Sequence, residues 1–155
     1  MEIRFFLNGK EKILDAPSDR RVVDVLREYY GLIGTKECCG SGECGGCTIL
    51  VDGASRLSCL MLAAQLEGRR VTTIEGLSGG TELNRLQEAF VEHGAVQCGY
   101  CTPGMVLAAT DLLKRNPNPN RHEIRDGLSG NLCRCTGYEK IVDAVAAVAG
   151  TGEDK

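Results

Sequence analysis

Ile3, Phe5 and Leu7 alternate with polar residues at the start of the chain, the period-two pattern of a strand with one buried face. Asn8-Gly9 follows as a two-residue hairpin signal, so Lys10 to Leu14 is expected to return beside the first strand. After the start signal Pro17-Ser18-Asp19 the period changes. Val22, Val25, Leu26 and Tyr29 have helical spacing and Gly31 is a stop, which predicts one amphipathic helix crossing the hairpin. Thr48 to Val51 reads as a strand, Asp52-Gly53 as a turn, Leu60 to Glu67 as a short helix and Arg70 to Ile74 as a last strand. Strands with one main helix make an α+β unit.

The pattern changes again at Gly76-Leu77-Ser78-Gly79-Gly80, whose small residues have the character of a linker. We expect a domain boundary there, giving units over 1–76 and 77–155. Every periodic segment of the second unit is helical. Glu82 to Glu92 carries Leu83, Leu86 and Phe90, and Thr102-Pro103 supplies a cap and a first-turn proline for a helix to Arg115. Asn116-Pro117-Asn118-Pro119 breaks that helix, Asn120 with Glu123 forms a capping box, and Gly130 ends a third helix near Leu128. Tyr138 to Ala149 makes a fourth, with Ile141, Val142, Val145 and Val148 on one stripe, and Thr151 to Lys155 should fray.

Two halves of about 75 residues are each near the size at which a hydrophobic core supplies only about 3–5 kcal/mol. With no tryptophan and 5% aromatic residues the cores are thin, so both halves need a staple, and bound metal is the expected one. A net charge of -3 offers no basic patch for a nucleic acid. No apolar run approaches the roughly 20 residues of a membrane span. Met1-Glu2-Ile3-Arg4 lacks the regions of a signal peptide, so a cytoplasmic protein is expected. Nine cysteines, an odd number, suit ligation in a reducing compartment better than disulfides.

The first group is Cys39-x4-Cys44-x2-Cys47, with Cys59 beyond it, the spacing of plant-type ferredoxins. Gly40, Gly42, Gly45 and Gly46 let the backbone wrap closely and aim N–H groups at sulfur. Zinc sites more often use two Cys-x2-Cys pairs, so the pattern favours a 2Fe-2S cluster. The second group, Cys98-x2-Cys101 with Cys133-x-Cys135, is a pattern zinc would accept too. Its setting favours a redox centre: Cys101 begins one expected helix and Cys135 precedes another, so helix N-termini would face an anionic cluster.

Cys39 to Cys47, Gln97-Cys98-Gly99-Tyr100-Cys101-Thr102-Pro103-Gly104 and Gly130 to Tyr138 together resemble, over nearly the whole chain, the iron–sulfur subunit of molybdenum hydroxylases, the xanthine dehydrogenase and aldehyde oxidase family. The resemblance implies a β-grasp plant-type ferredoxin domain followed by an all-α four-helix bundle. It implies two 2Fe-2S clusters, the helical one beside molybdopterin and the other nearer the flavin. It also implies pterin contacts from Gln97 and the sulfur of Cys135. The fused members of the family continue past the point matching Lys155, so a large molybdopterin-binding subunit and a medium FAD-binding subunit are expected as separate chains, in a dimer of heterotrimers. Ala95 to Tyr100 looks most like the nicotinate and purine branch, which points to an N-heterocycle, purine or aldehyde as substrate of the complex.

On this reading the chain relays electrons one at a time and carries no catalytic acid, base or nucleophile. The competing readings are a free-standing ferredoxin-like carrier and a structural zinc-binding module. Cys38, adjacent to a ligand, is expected to be a spare thiol. His93 and His122 are isolated and expected on the surface, since a Rieske site would place two histidines inside the ligand pattern. Arg134 either tempers cluster charge or faces solvent, and Tyr100 is expected to pack rather than conduct.

Overall fold

The opening alternation forms an antiparallel hairpin in which β1 (Glu2–Leu7) pairs with β2 (Lys10–Asp15), Ile3 opposite Leu14. Asn8 and Gly9 both have positive φ, 50° and 80°, the turn whose twist matches that of the flanking strands. Helix α1 (Val22–Asp24) continues through a wider π-helical turn, Val25–Tyr29, and buries Val22, Val25 and Leu26 against Ile3, Phe5 and Ile49. Strands β3 (Thr48–Val51) and β4 (Ala54–Leu57) form a second hairpin across Asp52-Gly53. Strand β5 (Arg70–Thr72) lies between them, parallel to β1 and antiparallel to β3, giving the order β2-β1-β5-β3-β4. A mixed five-stranded sheet crossed by one helix is the expected α+β unit in its β-grasp form. The computed structural model describes residues 1–150, so the fraying expected at Thr151 to Lys155 lies outside the described residues.

Local differences from the sequence reading have identifiable causes. The expected helix over Leu60 to Glu67 is a single 3-10 turn, Ala63–Leu66. The last strand stops at Thr72 because the Asn8 side chain takes over Thr73: its Oδ1 accepts from Thr73 N at 2.9 Å and its Nδ2 donates to Thr73 Oγ1 at 3.0 Å. Ile74 instead starts a short α2 (Ile74–Leu77), and Ile74 and Leu77 pack on the core of the helical half.

That half contains α3 (Arg85–Glu92), α4 (Thr102–Arg115), α5 (Arg121–Gly127) and α6 (Glu139–Val148). The expected capping box closes α5: Glu123 N donates to Asn120 Oδ1 and Asn120 N to the Glu123 carboxylate, at 3.0 and 2.7 Å. Asn84 and Gln87 make a second box, which starts α3 at Arg85 and leaves Leu83 exposed rather than on the apolar face. Leu86, Phe90, Met105, Ala109, Ile124, Ile141 and Val145 fill the centre of the resulting four-helix bundle.

A polar seam joins the two halves. Asp111 on α4 is buried, and its Oδ2 accepts from the backbone N and the hydroxyl of Ser55 on β4, at 3.1 and 2.7 Å. Burial works against the ionised carboxyl, but Ser55 and Arg115 together hold its pKa below the usual carboxylate value. Asp111→Ala should therefore lower stability at neutral pH by about 1.5–3 kcal/mol, the range for hydrogen bonds to charged groups. Chemical denaturation checks this. Because the folded pKa is depressed, the contribution is complete above the unfolded value of about 4 and is lost as pH falls through the folded one, so the gap between the two proteins should narrow in acid.

Candidate metal centres

Of the first cysteine group, Cys59 follows β4, and the loop between α1 and β3 carries Cys39, Cys44 and Cys47 on a frame set by Arg21. Its guanidinium meets Asp24 Oδ1 at 2.8 Å and Glu37 Oε1 at 2.5 Å, tying the start of α1 to the segment entering Cys39, and these two carboxylates raise its pKa. Three backbone N–H groups, of Ser41, Glu43 and Cys44, point at Cys39 Sγ from 3.3–3.4 Å, and Gly46 N points at Cys44 Sγ from 3.4 Å. Those N–H groups lower the Cys39 thiol to a pKa of about 6. Cys47 and Cys59 lie deeper. Burial, and then contact with Cys47, pushes the Cys59 thiol up to about 11.

The second group is assembled from two segments of the bundle. Cys101, rather than the expected Thr102, stands at the N-cap position of α4 without a side-chain cap bond, and burial followed by contact with Cys133 pushes its thiol up to about 12. Cys133 is held below its ordinary value despite burial, because the Thr136 hydroxyl donates to its Sγ at 3.2 Å. Cys98 and Cys135 form the outer pair, both exposed, with sulfurs 3.5 Å apart. The second helix expected to face this group begins only at Glu139, beyond Gly137 and a left-handed Tyr138 (φ 72°). Tyr138 serves the loop differently, its hydroxyl accepting from Cys133 N at 2.9 Å.

Eight of the nine cysteines thus come in twos: Cys39 with Cys44, Cys47 with Cys59, Cys98 with Cys135, and Cys101 with Cys133. The two pairs of each group also sense one another, Cys59 and Cys101 through the charge of Cys39 and Cys98, and Cys133 through the backbone N–H of Cys135. Among the described residues no three Cys, His, Asp or Glu side chains close on one point, as a single tetrahedral ion requires. Thiolates in facing pairs fit a binuclear iron–sulfur group, two per metal. Between the two groups lies a cavity of about 250 Å³, walled by Cys44 on one side and by Cys98, Cys133 and Cys135 on the other.

Residues 5–78 match the 2Fe-2S iron-sulfur cluster binding domain, and residues 73–146 match the 2Fe-2S binding domain. The nicotine 6-hydroxylase small subunit of Paenarthrobacter nicotinovorans is 49% identical over 97% of this chain and 90% of its own length. The nicotinate dehydrogenase small FeS subunit of Eubacterium barkeri is 48% identical, over 92% of this chain and 91% of its own. The structure of quinoline 2-oxidoreductase from Pseudomonas putida 86 superposes with a TM-score of 0.93 at 51% identity, covering 96% of this chain and 92% of that one. The chain belongs to the iron–sulfur subunits of the xanthine dehydrogenase and aldehyde oxidase family.

As a member of that family it is an electron-transfer chain with two 2Fe-2S binding domains. Its remaining candidate residues fall as follows. Gln97 is exposed, and its amide has no hydrogen-bond partner among the described residues. Cys38 and Arg134 are exposed beside the cavity. His93 is exposed at the end of α3 with Nδ1 2.9 Å from the Ala89 carbonyl, and His122 is exposed on α5. Tyr100 does more than pack: its hydroxyl donates to the Glu37 carbonyl in the other half, and Lys36 Nζ lies 6.0 Å from its ring centre. Sequence reasoning missed Thr136 and Tyr138 as supports of the Cys133 loop, although both stand within the third matched stretch. No helix among the described residues is long and apolar enough to cross a membrane.

Proposed function

We propose that Cys39, Cys44, Cys47 and Cys59 hold one 2Fe-2S cluster and Cys98, Cys101, Cys133 and Cys135 a second, and that the chain passes electrons singly between a molybdopterin-binding large subunit and an FAD-binding medium subunit. The observation that carries this is the pairing of eight thiols, two by two, in two groups on either side of one cavity. Each cluster, when bound, accepts and releases one electron. The residues of the chain supply the rest: N–H groups at Cys39, Cys44 and Cys98 and the Thr136 hydroxyl relieve negative charge on sulfur, and burial of Cys47 and Cys59, with half-burial of Cys101, limits water. Pairing also disfavours the zinc-module reading, in which four thiolates converge on one ion.

The exposed edge of the second group faces the partner holding molybdopterin in this reading. Cys98 and Cys135 stand there with Gln97, and Val96, Tyr100, Leu132 and Tyr138 are apolar side chains left exposed around them. An unpaired amide beside an exposed ligand suits the polar edge of a pterin, with Cys135 sulfur as a second contact. Relatives named for nicotine, nicotinate and quinoline support an N-heterocycle as the substrate of the complex. We assign the domain boundary to residues 76 and 77, the assembly to a dimer of heterotrimers, and the complex to the cytoplasm.

The test uses the chain isolated with its partner subunits. Two irons and two sulfides in each of two centres give four of each per chain, and no zinc. Gln97→Leu removes the amide and keeps the size, so iron content should stay at four while substrate reduces the iron–sulfur absorbance more slowly in the stopped flow. Wild-type rates with full molybdenum cofactor would take Gln97 out of the entry route. A colourless chain holding zinc would sink the whole reading.

A further inference from the structure

Three hydrogen bonds from the helical half land on the loop that carries the first cysteine group. Tyr100 reaches the Glu37 carbonyl, Leu132 N donates to the Cys44 carbonyl at 2.8 Å, and Asn131 Nδ2 donates to the Gly45 carbonyl at 3.0 Å. The last two form a unit, because consecutive residues of one segment grip consecutive carbonyls of the other. One bond alone would leave the loops free to swivel. Two adjacent bonds fix both their separation and their rotation. The grip links the two groups directly, since Cys44 belongs to the first and Cys133 follows Leu132 in the chain.

Asn131 is the member of this grip with a side chain in it. It is 7% exposed, its backbone N is anchored on the Leu128 carbonyl at 3.0 Å, and the Gly45 carbonyl that it meets also takes the Thr48 hydroxyl at 2.7 Å. There is no slack around it: a Cβ added at Gly45 would lie 2.6 Å from Asn131 Nδ2. The site therefore calls for a short, uncharged N–H donor. A leucine has the size without the donor, and an aspartate puts a carboxylate against a carbonyl oxygen in a buried place.

We propose that Asn131 is a positioning residue for electron exchange between the two cysteine groups, holding the Cys44 and Cys133 loops at a fixed span and angle. This rests on the two-cluster reading above. The exchange moves one electron: one centre is oxidised as the other is reduced, with no bond made or broken and no proton moved. Asn131 touches neither centre, and acts through the loops that carry Cys44 and Cys133.

The test is the magnetic coupling between the two centres in the intact complex, reduced until both are paramagnetic. In the wild type each centre should split the low-temperature resonance of the other, and the size of the splitting reports their separation and orientation. Asn131→Leu and Asn131→Asp should both keep four irons per chain while that splitting shrinks or is lost. Exchange after a fast one-electron injection should slow in parallel. Ser55→Ala is the control, since it weakens the same domain seam at Asp111 and Ser55 takes part in neither bond of the grip. It should lower the unfolding temperature and leave the splitting at the wild-type value. Splitting unchanged in both Asn131 variants, or lost equally in Ser55→Ala, overturns the proposal. A wild-type complex with only one iron–sulfur signal overturns the two-cluster reading and this inference with it.

Discussion

Cys44→Ser should erase one iron–sulfur signal and leave the other at full intensity, and Cys133→Ser should do the reverse. The expectation follows from the pairing of the thiols. Cys44 shares its place with Cys39 and has Cys47 and Cys59 opposite, all within one loop and the adjoining strand ends of the sheet. Cys133 shares its place with Cys101, with Cys98 and Cys135 as the outer pair, all within the bundle. No thiol of one group is in contact with a thiol of the other among the described residues, so removal of one ligand disturbs one centre. The iron and sulfide content should fall by about half in each variant. Measured by low-temperature resonance and metal analysis, loss of both signals from either substitution, with helical content retained, would point to a single shared centre.

The two substitutions should also differ in their effect on the fold. Cys47 and Cys59 pack with Val23 in a small cluster between sheet and helix, so a centre held there staples the β-grasp half to its own helix. Cys101 and Cys133 pack against the bundle core, so the second centre staples α4 to the segment ahead of α6. Loss of either should lower the unfolding temperature of its own half first, because halves of this size have little core stability in reserve.

How much of this was legible before the structure depended on how local each cause is. The first hairpin was readable because the alternation of Ile3, Phe5 and Leu7 and the turn at Asn8-Gly9 lie within one short segment. The box at Asn120 and Glu123 was readable for the same reason. Strand β4 was not. Ala54-Ser55-Arg56-Leu57 has no alternation, and it is a strand because β3 beside it offers a ladder and Asp111 receives Ser55 from the far side. The eight paired cysteines were readable from spacing, but the pairs themselves were not, since Cys98 meets Cys135 rather than its sequence neighbour Cys101. The seam was silent altogether. Asn131, Asp111 and Tyr100 are ordinary polar residues in sequence, and their partners Gly45, Ser55 and Glu37 are in the other half of the chain. A local window holds no signal for such contacts.

The seam supplies the other large effect, at a position where helix propensity alone points the wrong way. Gly104 lies in the first turn of α4, and replacing a helical glycine by alanine ordinarily stabilises by about 0.8–1.0 kcal/mol. Here the added Cβ would stand 2.4 Å from the Gly45 carbonyl oxygen and 3.1 Å from Asn131 Nδ2. That oxygen is backbone, held by Thr48 and Asn131 together, so it cannot turn aside as the tip of a side chain would. The alternatives are to shift α4 away from the sheet or to give up the bond from Asn131, and overpacking of this kind costs typically about 1–3 kcal/mol, occasionally more. Gly104→Ala should therefore destabilise the protein despite its better helix former, and the loss should appear at the contact between the halves. Hydrogen exchange reads the distinction: the Leu132 amide, which donates to Cys44, should lose protection, while the amides inside α4 keep theirs. An alanine variant as stable as the wild type, with Leu132 still protected, would mean that the two halves can separate enough to admit a methyl group without loosening the grip on the first cysteine loop.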